Sequence, residues 1–336
     1  NSMRTPKAVR LQEIRRAIAA GAAADHVGRA AINIFIHSDN WYIDNEVDTM
    51  EYYKNKLILI TGGSSGIGLS LAKQLAEQEA NVWILARRPG QLAVAIKEIE
   101  ACRVNPAQKF GTIEADVSNE PEINTEITKF IEANGVPDIL INAAGYARPG
   151  LFTDLDSEVF RQEMDVNYFG LVYTAKKIAP GMIARRSGHI INISSMAGFI
   201  GTIGYTAYCG AKFAVRGFTD TLRFELKKFG VRVSLVYPPD TRTPGYEVEN
   251  GFKPAITKAF TEDNVGVFEP DYVAKVIIKD AAKGKYTILP GSSTSAWYFI
   301  YGLGMSFNLV NPVMDWMLSQ SWRKVEKEAQ QASSSS

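Results

Sequence analysis

The chain reads as an α/β protein: a doubly wound parallel sheet in a single domain, with extensions at both ends. Three observations lead there. Short apolar runs alternate with helical stretches from residue 56 to about residue 290 without a break. A glycine-rich turn follows the first of these runs and opens a helix. The runs are too short for helices and are bounded by turns, as strands buried on both faces of a helix-covered sheet should be. With 336 residues the chain is longer than such a sheet needs, and the surplus lies outside the alternating region. The expected division is an extension over 1–49, the domain over 50–295, and a C-terminal segment over 296–336.

The first strand is Lys56-Leu57-Ile58-Leu59-Ile60-Thr61, which leads into Gly62-Gly63-Ser64-Ser65-Gly66-Ile67-Gly68. Residues 69–80 then read as a helix. Strand, glycine turn and helix N-terminus together form a Rossmann-type dinucleotide site. Glycines let the backbone approach a pyrophosphate, whose charge meets the positive end of the helix. The spacing here is Thr-Gly-x-x-x-Gly-x-Gly, not Gly-x-Gly-x-x-Gly. The second strand, residues 81–86, ends at Arg87-Arg88. A site that holds a ribose 2′-hydroxyl places an acid at this strand end, whereas arginine suits a 2′-phosphate. Ala86 occupies the position of the acid, so NADP(H) is the expected cofactor, with Ser64 and Ser65 as further donors to the phosphate.

Later elements follow the same rhythm. A strand over 110–115 precedes Asp116-Val117, and a strand over 138–141 precedes Asn142-Ala143-Ala144-Gly145. A helical stretch carries Met164-Asp165-Val166-Asn167-Tyr168-Phe169-Gly170, and Ile191-Asn192-Ile193-Ser194-Ser195 reads as a strand. Thirteen residues beyond Ser195 comes Tyr208-Cys209-Gly210-Ala211-Lys212. Positions i and i+4 share a helix face, so this phenol and this ammonium can point into one cleft. A neighbouring ammonium favours phenolate, and Tyr208 is expected to titrate below the ordinary value of about 10. That would suit a group giving its proton to a ketone oxygen.

In this order, over roughly residues 50–295, these motifs resemble the short-chain dehydrogenase/reductase family. The resemblance implies a catalytic set of Asn167, Ser195, Tyr208 and Lys212. Ser195 would steady the substrate oxygen, Tyr208 would protonate it, and Lys212 would hold the nicotinamide ribose. Asn167 would keep a proton-relay water. Ser194 and Ser195 point to opposite faces of a strand, and the family's spacing to the tyrosine favours Ser195. The resemblance also places Gly62, Gly66, Ile67, Gly68, Asp116, Val117, Asn142 and Gly145 beside the cofactor.

The loop after the strand over 231–237 reads Pro238-Pro239-Asp240-Thr241-Arg242-Thr243-Pro244-Gly245. This segment resembles that of the 3-ketodihydrosphingosine reductases, which implies NADPH-dependent reduction of a long-chain amino ketone at a membrane. Pro238 and Thr241 then join the cofactor contacts. Tyr246 and Phe252 would lie over an alkyl chain, and Asp240, Glu247 and Glu249 are candidates to meet an ammonium. Gln91 departs from relatives that place a lysine near the cofactor phosphate, a role open to Arg88. Two alternatives stand: another ketoreductase of the family acting on an oxoacyl thioester, hydroxysteroid or retinoid, and a non-catalytic NADP-binding protein.

Composition narrows the remaining classes. With 37 basic and 36 acidic residues the formal charge is +1, which gives nucleic acid no electrostatic footprint. Cys102 and Cys209 read as free thiols of a reducing compartment. His26, His37 and His189 are scattered, so no metal is expected. Residues 1–49 contain a helical stretch over 6–22 with Arg10, Arg15 and Arg16, either a basic arm or a plain extension, without a secretory apolar region. Residues 296–318 hold six aromatic residues and one charge, Asp315. Gly302, Gly304, Asn308 and Pro312 are expected to interrupt a helix here. Membrane-surface contact is expected more than a full span, since aromatics suit the interface and Arg323, Lys324 and Lys327 follow. The active site would face the cytoplasm, at the endoplasmic reticulum in a eukaryote; a soluble cytoplasmic enzyme is the alternative. Residues 333–336 read as an unstructured tail. Phe213, Phe218, Leu222 and Leu226, on the helix after Tyr208, suggest a homodimer or homotetramer.

Overall fold

Seven parallel strands form one sheet in the order β3-β2-β1-β4-β5-β6-β7. They are β1 Leu57–Thr61, β2 Asn81–Ala86, β3 Phe110–Glu114, β4 Ile139–Asn142, β5 Gly188–Ile193, β6 Val231–Val236 and β7 Thr287–Ile288. The structure, a computed structural model, describes residues 48–264, 266–306 and 310–334. The helical stretch expected over 6–22 lies outside the described residues. The expected doubly wound α/β sheet is what the chain forms.

The strand sequences show why. Ile58 and Ile60 of β1, Val82 and Ile84 of β2, Ile139 and Ile141 of β4, and Ile191 and Ile193 of β5 share one core. Their neighbours of opposite parity, Leu59, Leu85, Leu140 and Ile190, enter a second core on the other face. Alternate residues of a strand point to opposite faces, and here both faces are covered. The first core is closed by α1 (Thr49–Tyr53), α2 (Gly66–Glu77), α3 (Pro89–Ala101) and α10 (Pro270–Ala282). The second lies under α4 (Glu120–Asn134), α6 (Gly170–Ala184) and α7 (Thr206–Lys227).

Strand order reverses between β1 and β4, which opens a crevice beyond their C-terminal ends. Thr61 ties its walls together: its hydroxyl accepts from the amides of Ala143 and Ala144, both at 3.2 Å. Helix α2 begins at Gly66, three residues ahead of the expected start, because Gly66 turns the chain at φ +55° directly after extended Ser65. It ends at Glu77, before the expected Ala80. Glu79 takes a left-handed φ of +59°, and the amides of Glu79 and Ala80 return to the carbonyls of Ala76 and Leu75.

His189 is a core histidine of β5. Its ring nitrogens meet the Tyr52 hydroxyl at 3.2 Å and Ser234 Oγ at 2.8 Å, and burial holds its pKa down to about 3.

The C-terminal part departs from expectation in two places. Helix α11, Ser292–Ser306, runs through Gly302 and Gly304, so these glycines do not interrupt it. Two glycines cost a helix about 1 kcal/mol each, less than the packing of Trp297, Tyr298 and Tyr301 against the buried Phe199 and Tyr237 supplies. Helix α12, Val310–Ser334, carries Pro312 in its first turn, where a missing N–H breaks no bond. It extends to Ser334, so the tail expected from Ser333 begins as helix. Among the described residues no helix is long and apolar enough to cross a membrane.

Candidate active site

A cavity of about 350 Å³ opens at the crevice between β1 and β4. Its floor on one side is main chain. Gly62 has φ +69°, and a Cβ there would stand 2.7 Å from the Ala144 backbone. A Cβ on Gly68 would stand 2.3 Å from the Gly62 carbonyl oxygen. The turn and helix α2 can pack this closely only with glycine. The first amides of α2, from Gly66 to Gly68, therefore point at the cavity with the positive end of the helix behind them. This backbone cradle fits the pyrophosphate of a dinucleotide. Ser64, Ser65, Ile67, Val117, Gly145, Pro238 and Thr241 line the same space.

The two arginines after β2 differ. Arg87 reaches Asp116 Oδ2 at 3.4 Å. Asp116 is otherwise held by the amide and hydroxyl of Ser118, at 2.9 and 2.7 Å. Burial acts to raise its pKa, but Ser118 and then Arg87 outweigh this and lower it. Arg88 lines the cavity, is exposed, and has no ion pair among the described residues. Asp116 itself does not line the cavity, and neither does Asn142. The Asn142 amide is spent in the interior, donating to Asn192 Oδ1 at 2.9 Å and accepting from Thr174 Oγ1 at 2.7 Å. Its side chain joins β4 to β5 and α6 beneath the crevice; it does not reach into it.

Ser195, Tyr208 and Lys212 converge at the deep end. Strand β5 ends at Ile193, two residues before expected, yet the alternation of faces persists. Ser194 turns inward to donate to the Lys212 carbonyl at 3.1 Å, and Ser195 faces the cavity, its hydroxyl capping the turn Met196–Gly198 through the Ala197 amide at 3.2 Å. Asn167 sits in a π-helical turn, Asp165–Phe169, between α5 (Ser157–Met164) and α6. Such turns widen a helix and recur at functional sites. Its side chain clamps the backbone of Tyr146, accepting from the amide at 3.2 Å and donating to the carbonyl at 2.9 Å. A Cβ on Gly145 would meet Asn167 Oδ1 at 2.6 Å and Lys212 Nζ at 3.3 Å, which brings these three residues together.

Electrostatics correct one expectation. Tyr208 does not titrate below the ordinary range. Burial pushes its phenol well above it, the carboxylate of Glu249 adds to the rise, and the facing Ser195 hydroxyl opposes it; Glu163 and Asp240 raise it further. Lys212 does not offset this, because its ammonium is engaged by the Ile193 carbonyl at 3.2 Å and lies 5.5 Å from the Tyr208 ring centroid. Burial brings the Lys212 pKa down to about 8, against the pull of Glu163. A phenol kept protonated is still in the state a proton donor requires. Glu163, fully buried, accepts from the Arg148 amide at 2.5 Å, and burial raises its pKa to about 7.

The opposite wall comes from parts of the chain that sequence reading left unplaced. Tyr205 stands at the N-cap of α7, ahead of Tyr208, with ring centroids 6.0 Å apart. Its hydroxyl donates to Glu249 of α8 (Pro244–Asn250), so the loop after β6 is pinned beside the tyrosine pair. Lys253 is buried behind Asp240 and Glu249. Of the three candidate acids, Asp240 and Glu249 line the cavity and Glu247 is exposed. Tyr246 lines the cavity too, whereas Phe252 lies outside it, under the guanidinium of Arg148. Ile200, Phe260 of α9 (Ala255–Asn264), Trp297 of α11 and Met314 of α12 complete an apolar side. The i,i+4 spacing of Glu249 and Lys253 was a readable signal; nothing local marked Trp297 or Met314 as cavity residues.

A family model described as short chain dehydrogenase matches residues 56–251. A 3-ketodihydrosphingosine reductase of Bos taurus is 40% identical over 236 residues, covering 70% of this chain and 71% of that protein. A 3-dehydrosphinganine reductase of Danio rerio is 39% identical over 231 residues, covering 68% and 69%. Among solved structures, a 3-oxoacyl-[acyl-carrier protein] reductase with bound NAD from Brucella melitensis superposes with a TM-score of 0.57 at 25% identity, covering 70% of this chain and 86% of that one.

Proposed function

The chain belongs to the short-chain dehydrogenase family, and on that basis we propose that it reduces 3-ketodihydrosphingosine to dihydrosphingosine with NADPH. The observation that carries this reading is the meeting of Ser195, Tyr208 and Lys212 with Gly145 at the end of a backbone dinucleotide cradle. Relatives at 39–40% identity that bear that enzyme's name support the substrate.

The amides opening α2 hold the pyrophosphate, and Arg88 holds the 2′-phosphate. Bound there, the reduced nicotinamide supplies the hydride. Ser195 Oγ donates to the ketone oxygen and steadies its growing charge. Tyr208 Oη passes its proton to that oxygen, giving the alcohol. Lys212 is placed to return a proton towards Tyr208, and Asn167, by clamping Tyr146, fixes the shape of the passage beside it. The apolar side from Ile200 to Met314 takes the alkyl chain.

Purified protein incubated with 3-ketodihydrosphingosine and each nicotinamide cofactor should oxidise NADPH faster than NADH, with dihydrosphingosine as product. A far higher rate on 3-oxoacyl thioesters or steroid ketones would overturn the substrate; a preference for NADH would overturn the cofactor.

Contact with a membrane surface is supported by Phe299, Trp316 and Trp322 on α11 and α12, which are 67%, 64% and 43% exposed. Interfacial aromatics beside Arg323 and Lys327 suit anionic headgroups, with the active site on the cytoplasmic side. Sedimentation with anionic vesicles tests this. Pairing of two or four copies is supported by α7. Phe218, Leu222 and Leu226 turn to the core, while Phe213 and Phe224 remain 39% and 70% exposed. Light scattering in detergent should exceed the monomer mass.

A further inference from the structure

Of the three acids that the sequence offers to an ammonium, Asp240 and Glu249 line the cavity with Ser195 and Tyr208, and the proton transfer to the ketone uses neither. They share one ammonium: Lys253 Nζ is 3.8 Å from Asp240 Oδ2 and 3.5 Å from Glu249 Oε1. The Lys253 side chain is 2% exposed, against 30% and 17% for the two acids. The cation therefore lies behind and the anions in front, and two negative charges against one positive leave a net negative charge on the cavity wall. Buried carboxylates are stable only when paired, so this wall favours a cationic ligand.

Glu249 is the better placed of the two. Its Oε1 is taken by the Tyr205 hydroxyl and Lys253, whereas its Oε2 has no partner among the described residues. Tyr205 holds it beside Tyr208, the two rings being 6.0 Å apart. Among the charged neighbours of the Tyr208 phenol, Glu249 has the largest influence. An anion so close to the proton donor suits one kind of ketone. In a 2-amino-3-ketone the ammonium is borne on the carbon next to the carbonyl, so it must lie beside the oxygen that Tyr208 protonates.

We propose that Glu249, through Oε2 and with Asp240 behind it, binds the substrate ammonium and selects α-amino ketones over plain ketones. This rests on the substrate reading given above. It assigns specificity to a side-chain pair that neither the catalytic set nor the cofactor cradle uses, on the segment from β6 into α8.

The test compares 3-ketodihydrosphingosine with its des-amino analogue, the same chain carrying the hydroxyl and ketone but no nitrogen. In the wild-type enzyme kcat/KM should favour the amino ketone. Glu249→Gln keeps the acceptor for Tyr205 and removes the charge. It should lower the amino-to-des-amino ratio of kcat/KM by about tenfold to a hundredfold, mainly through KM, as loss of one partner of a desolvated charge pair does. Asp240→Asn should move the ratio the same way by less, and carries the test if the first variant does not fold. NADPH affinity and melting temperature report the integrity of both. Equal losses on the two substrates, or a wild type that does not discriminate, would overturn the assignment while leaving the reductase reading intact. A wild type that reduces neither substrate would overturn that reading and this assignment with it.

Discussion

On the dinucleotide side of the crevice the wall is backbone: Gly62, Gly66 and Gly68 pressed against Ala144, Thr243 and their own turn, with the amides of α2 exposed to the ligand. On the opposite side, from Tyr205 to Met314, the wall is side chains brought by α7, α8, α9, α11 and α12. The glycine turn of the first surface is made by neighbours in sequence, and its shape follows from residues that lack a Cβ. The second needs helices far apart in the chain to fold back over the strand ends. A backbone wall can be shared by many enzymes of one fold, because every dinucleotide offers the same pyrophosphate. A side-chain wall can be changed residue by residue, and that is where a substrate is chosen.

Substitutions on each side should separate these roles. Tyr208→Phe stands at the junction and has the largest expected effect. Removal of the general acid should lower kcat by about 10²- to 10⁴-fold while NADPH titration gives nearly the wild-type Kd. Retained turnover would break the assignment of chemistry to this end of the cavity.

Arg88→Ala acts on the dinucleotide side alone. Loss of charged hydrogen bonds to the 2′-phosphate, worth about 1.5–3 kcal/mol, should lower kcat/KM for NADPH by about tenfold to a hundredfold and leave NADH nearly unaffected. Arg87→Ala should do less, since Asp116 already engages that guanidinium. The reverse order would exchange the two arginines.

The junction should also show itself in pH. Burial lowers Lys212 to about pKa 8, so its ammonium persists below that pH and is lost as pH rises through it. If this ammonium restores the Tyr208 proton, turnover should fall by about tenfold per pH unit above 8. A profile flat to pH 10 would remove Lys212 from proton delivery.

Trp297→Ala, on the side-chain wall, has the smallest expected effect. Loss of part of the apolar contact should lower kcat/KM for a long-chain ketone by roughly threefold to tenfold. A short-chain ketone and NADPH affinity should change little. An equal loss on both chain lengths would show that α11 supports the fold without meeting the alkyl chain.

The same division governs what could be read in advance. The strand and turn before α2, the Tyr208–Lys212 face and the parallel order of strands follow from local patterns: period two in the sheet, spacing of four on a helix, glycine where a Cβ has no room. The roles of Asn142 and Asp116 were harder, because a motif position names a residue without saying where its side chain is spent. Asn142 is consumed by Asn192 and Thr174, and Asp116 by Ser118 and Arg87. Tyr208 titrates opposite to the expected direction for a related reason. The pattern showed one ammonium at i+4, while the folded chain adds burial and three carboxylates from residues 163, 240 and 249.

Amino-acid order alone thus determined the sheet, the glycine turn before α2 and the shared face of Tyr208 and Lys212, since each depends on contacts within a few residues or on strict periodicity. Folding in three dimensions decided the charge around that hydroxyl, the pairing of Glu249 with Tyr205 and Lys253, and the closing of α11 and α12 over the apolar side. Those depend on desolvation and on which distant groups are enclosed together, and both are properties of a packed volume that no linear spacing encodes.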